Sequence, residues 1–225
     1  MSTPVPWPLT LFVLIMLPVV IGLGIWQLDR AAEKETLELA YIEREGAPAQ
    51  PLGDGVAFQP VRETGVYLEH QFLVDNQVQD GQVGYWLLQA FQTSDDRRIL
   101  VNRGWVAAPE LREELPRLQT PAGTVTLTGL IWPELGLPPL LEEETWDEVW
   151  PLRVQRRNVP RMAAMIGAEP IELRLYEGQP GVGDAAPVIP SFGRETHLGY
   201  AFQWFGLAGV LVVGWLVVHF RGGQR

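Results

Sequence analysis

The chain has 225 residues, 47% of them hydrophobic, with nine tryptophans, no cysteine and a formal net charge of −10. An acidic balance excludes nucleic acid as the partner, since that needs a basic face. Without cysteine there is no disulfide, no thioredoxin-like CxxC, no CxxCH for covalent haem and no thiolate pair for copper, so thiol relay and cysteine-based copper delivery are excluded.

The first predicted element is "LTLFVLIMLPVVIGLGIWQL", Leu9 to Leu28, a run of 20 residues without a charge. At about 1.5 Å per residue it is long enough for a hydrocarbon core of roughly 30 Å. It lacks Lys or Arg ahead of it, exceeds a signal peptide's apolar core and leads into a charged helical pattern, so it reads as a retained anchor. Pro18 and Gly22 are tolerable there because neighbouring helices satisfy freed backbone groups. "DRAAEKETLELAYIER" then carries apolar residues at helical spacing with no Gly or Pro before Gly46, which predicts that the helix continues out of the membrane as a solvated, amphipathic extension.

Five apolar or alternating runs follow: "GVYLEHQFLVDNQ", "QVGYWLLQAFQ", "RRILVNRGWVA", "TVTLTGLIW" and "IELRLYEG". Asp80-Gly81, Ser94-Asp95-Asp96 and Pro121-Ala122-Gly123 separate them as hairpin and loop signals. A helix is expected over Val159 to Ala168, packed on a mostly antiparallel sheet. Gly178 to Arg194, with four Gly and three Pro, reads as a linker. Leu198 to Phe220 is a second uncharged run, of 23 residues, and a second predicted span. The fold class is therefore an α+β membrane protein: an anchor over 1–28, an outer domain over 29–177, a linker over 178–197, a second span over 198–220 and a tail over 221–225.

All 27 acidic residues and 15 of the 17 basic ones lie between Asp29 and Glu195, a net −12 for the segment between the spans. Arg221 and Arg225 follow the second span, which favours the cytoplasm for both termini and the periplasm for the domain. The span opens within ten residues of Met1 with no Arg- and Ser-rich presequence, so a bacterial inner membrane is expected.

The outer domain supplies no Ser-centred elbow, phosphate loop or HExxH. His70 beside Glu69 reads as a solvated histidine on a strand edge. Glu142-Glu143-Glu144 with Asp147 and Glu148 reads as a solvated acidic loop, since the Asp-x-Asn/Asp-x-Asn/Asp-Gly pattern of a Ca²⁺ loop is absent. Asn102-Arg103-Gly104, at the end of an apolar strand, reads as a turn in which Gly supplies an unusual backbone angle.

The second span carries more. With His197 at zero and about 100° per residue, Tyr200 falls at about 300°, Ala201 at about 40°, Trp204 at about 340°, Ala208 at about 20° and Trp215 at about 0°. This face has two readings. It is either an ordinary anchor with an interfacial aromatic belt, or an apolar groove whose imidazole takes a haem iron while Arg194 and Arg30 meet the propionates. His219 is 22 residues on, roughly 33 Å along the axis, so it cannot be a second axial ligand on the same helix.

"LGIWQLDRAAEKETL", "GVYLEHQFLVDNQVQDGQVGYWLLQAF", "ILVNRGWVA", "WPLRVQRRNVPRMAAMIG" and "HLGYAFQWFGLA" together resemble the surfeit locus protein 1 family, the Shy-one proteins of fungi. The resemblance spans nearly the whole chain. It implies a non-enzymatic assembly factor for haem–copper cytochrome oxidase, acting with subunit I and haem a synthase while haem a is inserted. It also implies His197 as the iron ligand, with Tyr200, Trp204 and Phe205 in the family's motif, as are Gly24, Trp26, Gln27 and Arg30 of the first span. The chain departs from the family in two places: Glu195-Thr196 stands where many members have Asn-Asn, and Asn158 stands where an acidic residue is often seen.

Overall fold

The computed structural model describes residues 7–111, 114–116, 119–137, 144–183 and 193–222. They form two compact units, one of residues 7–40 with 193–222 and one of residues 41–183. Residues 184–192 of the expected linker, Glu142 and Glu143 of the acidic loop, and Arg225 of the tail lie outside the described residues.

The unit over 41–183 is built on one long strand, β1 (Pro60–Gln79). Its first residues, 60–65, pair antiparallel with β4 (Val125–Trp132), and 65–79 pair antiparallel with β2 (Gln82–Thr93). β2 pairs antiparallel with β3 (Arg98–Ala107); β3 runs parallel to β6 (Glu172–Leu175), which returns antiparallel to β4. These pairings close a ring of five strands. A short β5 (Leu152–Val154) lies parallel to β1 at Phe72–Val74. Closure abolishes most free edges, and β1 manages it by bending at two register shifts, the second with Asn76 at φ 60°. The β1–β2 turn is Asp80-Gly81, both at positive φ, as a two-residue hairpin of this twist requires.

Alternation along the strands sorts the core into two layers. Val61, Phe91, Ile99, Val101, Leu127, Ile131, Leu173 and Leu175, from all five ring strands, form one cluster. Phe72, Leu88, Ala90 and Leu100 point the other way, onto helix α2 (Val159–Ile166) through Val159, Met162, Ala163 and Ile166. Pro160 sits in the first turn of α2, where its missing N–H costs nothing. Asn158 caps the helix by accepting the Arg161 backbone N–H at 3.0 Å, and Gly167 ends it at φ 62°. The departure at Asn158 is thus a good helix cap.

Both faces of β6 are buried, although Glu172 and Arg174 alternate with its leucines. Glu172 accepts from Asn102 at 2.9 Å and from Arg174 at 3.2 Å, and Arg157 bonds its other oxygen. Arg174 lies 3.7 Å over the Trp132 ring and 5.1 Å from that of Trp86. Burial pushes the Glu172 carboxyl up. The charges of Arg174 and Arg157 and the hydrogen bonds from Asn102 and Arg157 more than offset this and hold it below the usual carboxylate range.

The other unit pairs two helices, α1 (Trp7–Glu45) and α3 (Arg194–Gly222), each long and apolar enough to cross a membrane. The predicted extension of the first span is seen as one continuous helix through Pro18. On α3, His197, Ala201, Trp204, Ala208, Leu211 and Trp215 recur at alternating steps of four and three, and each is buried or half-buried. Val13, Leu17, Val20, Gly24, Gln27 and Ala31 do the same on α1. Such a repeat is the seam of a closely packed helix pair. Trp215 donates to Thr10 Oγ1 at 3.1 Å near one end, and His197 meets Gln27 near the other, so the helices run antiparallel. A hydrocarbon surround provides no hydrophobic drive for pairing, so small residues that let the backbones approach carry it. Ala201 (2% exposed), Ala208 and Gly24 are those residues.

Replacing Glu172 with Gln leaves Arg157 and Arg174 without their anion and is expected to cost about 3–5 kcal/mol at neutral pH in urea unfolding of the full chain. Because its folded pKa is depressed, the stability contributed by Glu172 is complete above about pH 4.3 and lost as the pH falls through the lower, folded value. Wild type and Glu172→Gln should therefore converge in acid. A second expectation concerns Gly24, where an added Cβ would lie 2.7 Å from the Phe205 ring. Gly24→Val should lower detergent-phase stability by about 1–3 kcal/mol, and Phe205→Ala should restore part of it in the double variant.

Candidate functional site

The seam of α1 and α3 brings one imidazole and one amide together. His197 Nδ1 lies 2.6 Å from Gln27 Oε1. Gln27 is 8% exposed, and His197 is half-buried in the first turns of α3. Gln27 stands in the apolar run of α1, one turn after Gly24 and one before the buried Ala31. A polar side chain in such a run requires a partner, because the surrounding hydrocarbon supplies none. His197 supplies one.

The helical-wheel face read from the sequence is the face that packs on α1. Ala201 and Ala208 are buried in it, and Trp204 and Trp215 are half-buried. Tyr200 lies to one side and is 49% exposed. Phe205, at about 80° on the same wheel, covers Gly24. The imidazole therefore stands at the end of a filled seam, with Tyr200 and Trp204 within one or two turns of it. His219 stacks on Trp215 with ring centroids 5.2 Å apart, at the far end of α3.

The two arginines at this end are each paired with carboxylates of the protein. Arg30 bonds Glu33 at 2.7 Å and lies 5.8 Å from the Trp26 ring. Arg194 meets Glu35 at 3.3 Å and Glu195 at 3.4 Å. All of these side chains are a third or more exposed, and exposed pairs of this kind contribute only about 0–1 kcal/mol. Their guanidinium groups can exchange one carboxylate for another at little cost.

Two outer-domain expectations are corrected. His70 is not a solvated edge residue. It sits at a register shift of β1, edge-on to Trp150 with ring centroids 4.7 Å apart, and its Nδ1 is buried. Asn102-Arg103-Gly104 is not a turn at a strand end, because β3 continues to Ala107. Gly104 takes φ 94° inside the strand, beside a register shift against β2, and Asn102 Oδ1 accepts its N–H at 3.0 Å. This places Arg103 inward, donating to the Gly181 carbonyl at 2.6 Å, to Gln89 Oε1 at 2.5 Å and to the Gln119 carbonyl. It also lies 5.2 Å from the Tyr67 ring, whose hydroxyl burial pushes up to about 12 against the pull of Arg103. The motif's structural reading stands, but its work is to tie loops to the ring of strands.

Among the described residues no group of three or more His, Asp or Glu side chains could hold a metal ion. Glu144 of the acidic loop accepts the Gln155 backbone N–H at 2.7 Å. A contact of His197 that the sequence did not assign is the one with Gln27. Its signal was present, as the one amide within the uncharged run of the first span.

Comparison with known proteins identifies the family. The model of the SURF1 family matches residues 14–209, from within α1 to within α3. A SURF1-like protein of Rickettsia felis is 34% identical, with 92% of this chain and 95% of that protein aligned. One from Rickettsia bellii is 28% identical over 90% of this chain and 87% of its own length. Human surfeit locus protein 1 is 28% identical over 94% of this chain and 78% of its own. With the family model matching residues 14–209, which include the whole ring of strands and part of each long helix, the chain belongs to the SURF1 family.

Proposed function

We propose that the protein is an assembly factor for haem–copper cytochrome oxidase that holds or presents haem a for insertion into subunit I. Membership of the SURF1 family supports the assembly role, through the function the sequence resemblance implies. The observation that carries the haem is a half-buried imidazole with one ring nitrogen engaged by Gln27 and the other without a hydrogen bond among the described residues. This donor set fits a haem iron: a neutral imidazole nitrogen is a regular axial ligand, and a second protein ligand is not required for a carrier. When bound, the haem supplies an iron that accepts one nitrogen lone pair. In that role His197 contributes Nε2, Tyr200 and Trp204 contribute aromatic surface, and Arg30 and Arg194 release their glutamates to pair with propionates.

The two apolar helices support a multi-pass membrane protein. In this reading the membrane is a bacterial inner membrane, the ring of strands is periplasmic, and the partners are oxidase subunit I, haem a synthase and membrane lipid. The role in this reading is assembly rather than catalysis, as the family resemblance implies.

A second reading is favoured by one observation: the face that carries His197 is occupied by α1, and both arginines already have carboxylate partners. A cofactor-free scaffold that steadies a subunit I intermediate would look the same. Co-expression with haem a synthesis separates the two. The purified wild-type protein is expected to show a haem absorption band that falls to background in His197→Ala, with oxidase maturation reduced in parallel. Equal pigment in both proteins would remove His197 from the reading, and pigment in neither would leave the scaffold.

A further inference from the structure

We infer that Gln27 is the positioning residue of His197: its side-chain carbonyl holds the Nδ1 proton and thereby leaves the Nε2 lone pair as the one the imidazole offers to iron. The inference rests on the haem reading of His197 given above and assigns the part played by a residue of the other helix.

An amide oxygen can only accept a hydrogen bond, so the 2.6 Å contact between Gln27 Oε1 and His197 Nδ1 puts the proton on Nδ1. A neutral imidazole has one N–H, and Nε2 is then unprotonated. Gln27 is 8% exposed, so water has little access to its carbonyl. The geometry is maintained from both sides. Gly24 lies one turn before Gln27 and admits the Phe205 ring, and the buried Ala31 lies one turn after, so α3 comes near enough for the amide to reach the ring. On α3, the His197 backbone N–H bonds the Gly193 carbonyl at 3.3 Å, so the ring projects from an ordered first turn. A histidine that ligates a metal almost always gives its other N–H to an acceptor that sets tautomer and orientation. Here that acceptor is in place.

The choice of amide over carboxylate has a consequence. A carboxylate would draw the Nδ1 proton toward itself and make the ring a stronger donor, whereas a neutral amide orients it without that gain. A moderate iron–nitrogen bond suits a protein that must give its haem away. Gln27 thus sets both which nitrogen binds and how tightly.

The test uses the full-length protein in lipid nanodiscs, as wild type, Gln27→Leu, Gln27→Glu and His197→Ala, each checked for an unchanged unfolding midpoint. Without haem, ¹⁵N spectra of histidine-labelled protein should show His197 protonated at Nδ1 in wild type and as mixed tautomers in Gln27→Leu. With haem a added, Gln27→Leu should bind about 10–100-fold more weakly. Gln27→Glu should bind at least as well as wild type, with a more negative reduction potential. A wild-type imidazole protonated at Nε2, as when the amide is turned over to donate to Nδ1, would overturn the inference. So would Gln27 variants that match wild type in affinity and potential while His197→Ala has lost its haem. If His197→Ala keeps its haem, the haem reading itself fails, and the iron-directed half of this inference with it; the ¹⁵N spectra would still report the tautomer.

Discussion

The close approach of α1 and α3 is the constraint on which the proposed site depends. Two helices in hydrocarbon gain nothing by hiding apolar surface from each other, so they stay together through contact at short range. Gly24, Ala31, Ala201 and Ala208 allow that approach, and the hydrogen bonds Trp215–Thr10 and His197–Gln27 mark its two ends. Each bond satisfies polar groups that the surroundings cannot. The same packing that joins the helices therefore brings the Gln27 amide to the imidazole.

The outer unit solves a different problem. A sheet this small has too many edges, and the ring made by β1, β2, β3, β6 and β4 removes most of them. Closure buries both faces of β3 and β6, and this brings Glu172 and Arg174 inside along with their apolar neighbours. Two guanidinium groups on one carboxylate, flanked by Asn102 and two tryptophan faces, make burial tolerable. Arg103 plays a similar part with neutral acceptors, tying the segments around Gln119 and Gly181 to the strands. The charged residues of the "VNRGW" and "LRL" stretches are thus internal fasteners.

For a carrier, the balance of interactions at the helix pair is suitable. The imidazole meets a neutral group, and the arginines that would receive propionates are paired with exposed glutamates. Without a ligand the helix pair is complete, with Gln27 bonded to His197 and the small residues filling the seam.

Much of this was legible in the chain. The two spans, the helical continuation through Tyr41, the five strands of the ring, the Asp80-Gly81 turn and the helix at Val159 follow from local periodicity and turn chemistry, which act over a few residues. The wheel likewise singled out the face of α3 that matters. Which surface that face would meet could not be read, because a wheel gives direction and not partner. Tertiary structure decided that α1 lies against it, that Gln27 and not a neighbour of His197 holds the ring, and that His70 is packed on Trp150. It also decided that the three residues of β5 become a strand and that Glu172 goes inside. These outcomes depend on segments tens to nearly two hundred residues apart being brought together, and only the folded chain contains those distances.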